Sequence, residues 1–559
     1  MKEVALWLVG DEARYRALAY GLPLLLAALA SAGALSPWAG RRLATRSGVA
    51  LFFGVALLAL FAGRFPSLFA KDPLNQDEAQ ATAQAITALH DPTPWLGFDG
   101  NTCGPLNSYV LTLPALFGVH LTLFSTHVIA VLVEFGTVAA AYAAFALAVD
   151  ASFARLSAVG PTAFFGLATQ DHFIHYSNEH LSMLLGTAAL AAIAWAARGT
   201  SRAGWFVCGL LLGAMPLAKL QSLPIALGTG AIALLVAAAA GGTTRAWLAR
   251  WAGLLAGALL VPAIILGWAA AAGSFHDFWI SYIVSSISYI LYEAQPFSFF
   301  TATPEFGPFF DFALALTTAG LGVLLARLAL RRGPLGSRAY VFLAALLVLA
   351  CALDAVLAPN RGSLNYLLFA VFPVTAAATA ALALICEGLN RTFARLVPAA
   401  TAFALIVFAP VTSLLQGYPY LGSVADYYNS GPGPVTQLIA RFVHPGERLA
   451  IWGYRPRYFI ETGTLLGTRD AISQYQYNDV FNPYMPYFRD RYVADMQRLK
   501  PVGFLDVGPE SFDFDNGIKF GHEMFPELDA LVNRDYRLVG LEGTARLYVR
   551  ADSGRASRS

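Results

Sequence analysis

Charge is what this chain has least of. Asp, Glu, Lys and Arg make up 13% of its 559 residues, about half the quarter that a soluble chain carries. That deficit excludes an ordinary soluble enzyme. The two signs nearly cancel, leaving a net charge of +2 and no basic stripe, so a nucleic acid held through its phosphates is excluded as a partner. Cysteine is almost missing. Cys103, Cys208, Cys351 and Cys386 are the only four; three fall inside apolar runs and none forms a C-x-x-C pair, which excludes a disulfide framework and a thiolate metal site. No internal repeat is visible, and the terminal Ser-Gly-Arg-Ala-Ser-Arg-Ser is expected to be disordered.

What replaces charge is hydrocarbon. Hydrophobic residues reach 57% and gather into runs near or above the roughly 18–20 residues that cross a bilayer. About twelve such runs are expected to be transmembrane helices, near 17–36, 48–66, 120–148, 155–170, 181–197, 204–222, 224–241, 248–272, 308–329, 338–357, 364–386 and 397–416. The first lacks a small-residue cleavage site and reads as a retained helix rather than a signal peptide.

Arginine alternates with that pattern. Arg41, Arg42 and Arg46 follow the first run. Arg155, Arg198 with Arg202, Arg245 with Arg250, Arg327 with Arg331, Arg332 and Arg338, and Arg391 with Arg395 occupy every second loop thereafter. The loops 171–180 and 273–307 contain no Lys or Arg. Cytoplasmic loops collect Lys and Arg, so 67–119, 171–180, 273–307, 358–363 and the tail from 417 are expected outside. The charges of the extreme N-terminus nearly balance and leave its side open.

The tail changes character. Strand-sized runs at 448–452, 502–507, 536–539 and 545–549 alternate with helical stretches at 434–443 and 485–499, which predicts a small α/β domain over 417–559 behind a membrane domain over 1–416.

The expected outer face carries a short series of reactive groups. Asn75-Gln76-Asp77-Glu78 opens a helical stretch ending near His90. Asp77 can take a hydroxyl proton there as a general base; with the polar residues before it, it can equally cap the helix. After a Gly- and Pro-rich turn, Pro105 starts an interfacial helix through Asn107 and Tyr109 that ends near Gly118. The loop 171–180 packs Asp171, His172, His175, Glu179 and His180 between two spans, where ionisable groups are costly and usually functional. His172, His175 and Glu179 could hold a divalent metal, or the histidines could simply bond to water and backbone. Lys219 and Arg361 stand almost alone as outer cations and suit a lipid phosphate; snorkelling, or pairing of Arg361 with Asp354, is the alternative. Phe278, Tyr282, Tyr289 and Tyr292 make the 273–307 loop aromatic, as a lid or an interfacial belt.

In order and sidedness these residues resemble the GT-C superfamily of polyprenyl-phosphate-sugar-dependent glycosyltransferases, above all the protein O-mannosyltransferases, the lipid A aminoarabinose transferases and the lipopolysaccharide-core galacturonosyltransferases. The matching patterns are Asp77-Glu78, Pro105-Leu106-Asn107-Ser108-Tyr109, Glu179 at the opening of a later span, Ala218-Lys219-Leu220-Gln221, and Arg361 with Tyr366 before Pro373. Three departures stand out: Glu179 where Asp is usual, Leu220 where Gly is typical, and Gly104-Pro105 in place of Pro-Pro.

The resemblance implies an all-α polytopic GT-C-like membrane fold with external interfacial helices and a C-terminal α/β domain. It implies Asp77, Glu78 and Glu179 as catalytic carboxylates, and Lys219, Arg361 and Tyr366 as donor-phosphate contacts. Tyr109, Asn107, Gln221 and His175 become contacts to acceptor or sugar. The implied reaction moves a sugar from a polyprenyl-phosphate donor to a glycan, lipid or protein acceptor with inversion, on the periplasmic side of a bacterial inner membrane. Asp77, Lys219 and Arg361 would then share one outer-leaflet pocket. No cofactor is called for by the resemblance; His172, His175 and Glu179 are the candidate ligands should a divalent metal bind. The rival reading is a flippase of lipid-linked saccharide, for which Glu134 is the candidate mid-span charge.

Overall fold

The computed structural model describes residues 2–199, 202–291, 307–330, 334–359, 363–410, 417–477, 483–507 and 521–554. Each of the twelve apolar runs is helical there. Nine described helices are long and apolar enough to cross a membrane: Glu12–Leu35, Arg46–Leu68, Leu123–Ala148, Asn178–Arg198, Leu220–Ala239, Thr244–Ala271, Gly307–Ala329, Ser337–Leu357 and Leu364–Cys386. Ala151–Leu167, Arg202–Ala218 and Phe393–Val407 are shorter. The last was expected to reach 416 but stops at Val407, because Pro410 disfavours helical backbone just before it. The chain divides into two compact units that alternate along the sequence. One comprises Met1–Phe69, His127–Ala263 and Ala294–Ala425; the other comprises Ala70–Thr126, Ile264–Glu293 and Asp426–Ser559.

In the first unit, Leu364–Cys386 is the central helix. Its mean hydropathy of 2.2 equals that of Thr244–Ala271, yet 94% of it is buried against 22%. Hydropathy marks a span without saying where it sits. What separates the two is the distribution of small side chains. Thr375-Ala376-Ala377-Ala378-Thr379-Ala380-Ala381 is small on every face, so backbones close in all round; a Cβ on Gly320 of Gly307–Ala329 would stand 2.9 Å from Ala381 Cα. Thr244–Ala271 closes on a neighbouring backbone along one face. There Gly257 and Ala258 meet Gly209-x-x-x-Gly213 of Arg202–Ala218, where a Cβ on Gly213 would lie 2.8 Å from Ala258 C. Leu248, Leu255 and Leu259 are left exposed, as a lipid-facing surface requires.

The second unit is built on a five-stranded sheet of order β2-β1-β3-β5-β4, with β1 Arg448–Trp452, β2 Leu465–Leu466, β3 Gly503–Asp506, β4 Tyr536–Glu542 and β5 Ala545–Arg550. β1 pairs parallel with β2 and β3, and β5 pairs antiparallel with β3 and β4. Two-residue β2 is too short to have stood out in sequence. The helices Pro434–Phe442 and Met485–Leu499 lie where expected.

Segments distant in sequence are tied to this sheet by buried ions. Arg491 reaches Asp99 at 2.7 Å and Asp470 at 2.5 Å; Arg469 reaches Asp495 at 2.8 Å and Asp277 at 2.9 Å. Burial pushes the Asp470 carboxyl from 3.8 up to about 7, opposed by Arg491 and helped by Asp99 and Asp495. Its protonated form therefore contributes stability that is full below pH 3.8 and lost as the pH rises to about 7. We expect Asp470→Asn, which fixes the neutral hydrogen-bonding form, to flatten the fall in melting temperature across that window. An unchanged slope would refute this.

Phe278 and Tyr282 are core residues of this unit, neither lid nor belt. Their rings pack on Trp95 with centroids 4.9 and 6.0 Å away. Tyr292 lies outside the described residues.

Candidate active site

Two groups of side chains collect the residues singled out by sequence, one in each unit. In the first unit Ser177 caps Asn178–Arg198. Its Oγ accepts the Glu179 N–H and donates to the Glu179 carboxylate, while His180 Nδ1 accepts from Ser177 N at 3.2 Å. The other carboxylate oxygen, Oε1, lies 3.3 Å from Lys219 Nζ and accepts from Asn365 Nδ2 at 3.4 Å. Lys219 Nζ also stands 5.7 Å from the centre of the Tyr366 ring, within cation–π range. Glu179 is 1% exposed and Lys219 7%. Lys219 gets there because the chain leaves its helix at that residue, with φ −149° and ψ 121°. Stretches 40 and 146 residues apart in number (179 to 219, 219 to 365) thus build one acid–cation pair. Gln221, expected at the substrate, instead donates to Ala355 O at 2.6 Å. Arg361 lies outside the described residues.

A second buried pair adjoins the first through His180. Glu134 Oε1 is 2.6 Å from Arg64 Nη1 and 3.4 Å from His180 Nε2, and Arg64 also donates to Ile174 O. The mid-span acid is therefore matched by a cation, as burial demands.

The proposed metal trio does not assemble. Helix Asp171–Ile174 ends at His175, whose backbone is extended. The i, i+3 spacing of the two histidines therefore gives no shared face. His175 Nδ1 sits 2.7 Å from Asp171 O, and Glu179 is committed to Lys219. Burial, then nearby His175, lowers the pKa of His172. Among the described residues the one group of three converging ligands is Asp506, His522 and Glu523, and Arg546 lies across both of its carboxylates. Arg546's hydrogen bonds hold the Glu523 carboxyl down at about 2.

In the second unit Asp77 sits in the first turn of Gln76–Ala88, but Asn75 is the cap, accepting from Asp77 N at 2.9 Å. That leaves the Asp77 carboxylate to Tyr454, whose hydroxyl donates to Oδ1 at 3.1 Å. Tyr454 follows Gly453, where φ of +130° turns the chain at the carboxyl end of β1, the end of a parallel strand where α/β folds present functional groups. Burial, then the charge of Asp77, raises the Tyr454 pKa well above the usual phenol value. Glu78 is fully buried and accepts from Leu74 N at 2.6 Å, closing the helix start like a capping box. Tyr109 donates to Pro92 O at 2.6 Å and Asn107 to Gly104 O at 3.3 Å, so both hold the loop together. The interfacial helix runs Pro105–Leu111 and tightens into a 3-10 turn, Leu113–Phe117, before Gly118; Leu116 and Phe117 are exposed, as membrane anchors would be.

Sequence reading did not single out Asn365 or Tyr454. For Asn365 the available signal was an amide beside Tyr366 at the start of an apolar run. For Tyr454 it was a Gly-Tyr pair just past a strand.

No family model and no curated protein matches the chain. Solved structures do. ArnT from Cupriavidus metallidurans, crystallised with undecaprenyl phosphate, is 14% identical; the alignment covers 91% of this chain and 99% of that one, with a TM-score of 0.51. The oligosaccharyltransferase of Archaeoglobus fulgidus in its apo form is 13% identical over 81% of this chain and 69% of that one, with a TM-score of 0.43. At such identity the likeness to ArnT is one of fold: the chain is a polytopic helical membrane protein with a C-terminal α/β region.

Proposed function

We propose that the chain is a membrane glycosyltransferase that moves a sugar from a polyprenyl-phosphate donor to a lipid, polysaccharide or protein acceptor. The face would be the periplasmic one of a bacterial inner membrane. The observation that supports this most is a lysine ammonium fixed between the Glu179 carboxylate and the Tyr366 ring, in a fold shared with a protein crystallised with undecaprenyl phosphate. In this reading the acceptor O–H gives its proton to Asp77 while its oxygen bonds to the anomeric carbon. The bond from that carbon to the lipid phosphate oxygen breaks on the opposite side, and its electron pair leaves on the phosphate. Lys219 meets the charge that develops there. Glu179 keeps the ammonium in place, and Tyr454 keeps the Asp77 carboxylate in place.

The test is direct. Purified protein in detergent, given polyprenyl-phosphate-linked sugars, should release polyprenyl phosphate in step with sugar transfer. Movement of the intact lipid-linked sugar across vesicles, with no bond cleaved for any donor, would replace this reading with the flippase.

A further inference from the structure

At the arginine-rich end of the helical bundle is a cavity of about 530 Å³, distinct from the Glu179–Lys219 group. Arg41, Arg155, Arg338 and Arg395 line it, with Asp150 as the one carboxylate and Gly33 in its wall. Sequence places Arg155 in a loop. The structure puts it inside the helix Ala151–Leu167, 1% exposed.

That burial is unusual, because a guanidinium removed from water needs partners for its donors. Arg155 Nη2 has only a 3.5 Å contact to Ser152 Oγ, and Nε and Nη1 have no hydrogen-bond partner among the described residues. The nearest carboxylate is already taken. Asp150 caps the helix through Ser152 N and pairs with Arg338 at 3.2 Å. The fold nevertheless makes room for the group. A Cβ on Gly33 would stand 2.6 Å from Arg155 Nη2, so only glycine lets the guanidinium lie there. Arg41 and Arg395 are exposed at the mouth and make no ion pair among the described residues.

We propose that this cavity binds the phosphate of an anionic membrane lipid. Four cations against one committed carboxylate select an anion, and guanidinium forks match phosphate oxygens. A lipid rather than a free ion is indicated by what flanks the lining in sequence. Trp38, Phe393 and Leu396 are large, apolar and exposed beside Pro37, Ala394 and Arg395, a surface suited to acyl chains below a headgroup. Basic pockets between helices on the cytoplasmic side are a recurrent way of holding such headgroups, and the arginine-rich loops are the ones expected on that side. The site stands whether or not the chain is a transferase.

The full chain in detergent can be titrated with phosphatidylglycerol, phosphatidylcholine or inorganic phosphate and followed by native mass spectrometry. Phosphatidylglycerol should be retained in preference to phosphatidylcholine. The Arg41→Gln/Arg395→Gln double variant, altered only at exposed positions, should bind it roughly tenfold or more weakly for the two charges lost. Arg155→Lys, which keeps the charge but loses the fork, should also weaken it. Equal retention of both lipids, full retention by the double variant, or binding of inorganic phosphate without the lipid would each overturn the proposal.

Discussion

Asp77→Asn is expected to slow sugar transfer by roughly 10²- to 10⁴-fold, the range in which a positioned general base contributes, without loss of folded protein. The substitution is nearly isosteric. Asn75 rather than Asp77 caps the helix, so the helix start survives. The amide oxygen can still accept the Tyr454 hydroxyl, now 3.1 Å from Oδ1. What disappears is the capacity to take a proton. The fall should appear in kcat, with KM for the donor little changed, because Asp77 would act on the acceptor oxygen only as the new bond forms. Tyr454→Phe supplies the graded comparison. It removes one hydrogen bond to the carboxylate and should lower kcat by about tenfold, since one such bond to a charged group is worth about 1.5–3 kcal/mol at most. Equal turnover in wild type and Asp77→Asn would remove residue 77 from the chemistry.

Lys219→Met should cost roughly 10²- to 10³-fold in kcat, as loss of one charge-stabilising donor does elsewhere. It should also destabilise the protein by about 3–5 kcal/mol, because Glu179 would be left as a buried charge without its cation. The two effects separate with a second change. In Lys219→Met/Glu179→Gln the stranded charge is gone, and Ser177 and Asn365 remain to bond the amide. Thermal stability should return towards that of wild type while transfer stays low. Recovery of both would show that Lys219 serves only to neutralise Glu179, and the donor-phosphate role would be withdrawn.

The fold was more legible than the site. Every span was visible as an apolar run because hydrocarbon demands about twenty apolar residues in a row, and β1 could be bounded at Arg448–Trp452 from its own composition. Lys219 and Glu179 could be nominated for a similar reason: each is an ionisable group where such groups are rare. Their meeting at 3.3 Å could not be read, since helix packing and not spacing brings residues 179 and 219 together. The metal expectation failed on backbone. His172 and His175 share a face only if the helix continues, and it stops at His175. Glu78, Tyr109, Asn107 and Gln221 look reactive by type, yet each makes a hydrogen bond to main chain. A sequence lists polar groups without saying which are already engaged. Arg491 carries no local sign at all, because its partner Asp99 lies 392 residues away.

That separation has a consequence for how the protein is made. At roughly 5–20 residues per second of synthesis, Asp99 leaves the ribosome about 20–80 s before Arg491 does. The segment 70–126 must wait through that interval, and 264–293 through about half of it, for the residues that complete their ion pairs. A polypeptide that stops short of Arg491 would insert its helices normally and still expose an unfinished surface, a ready mark for degradation.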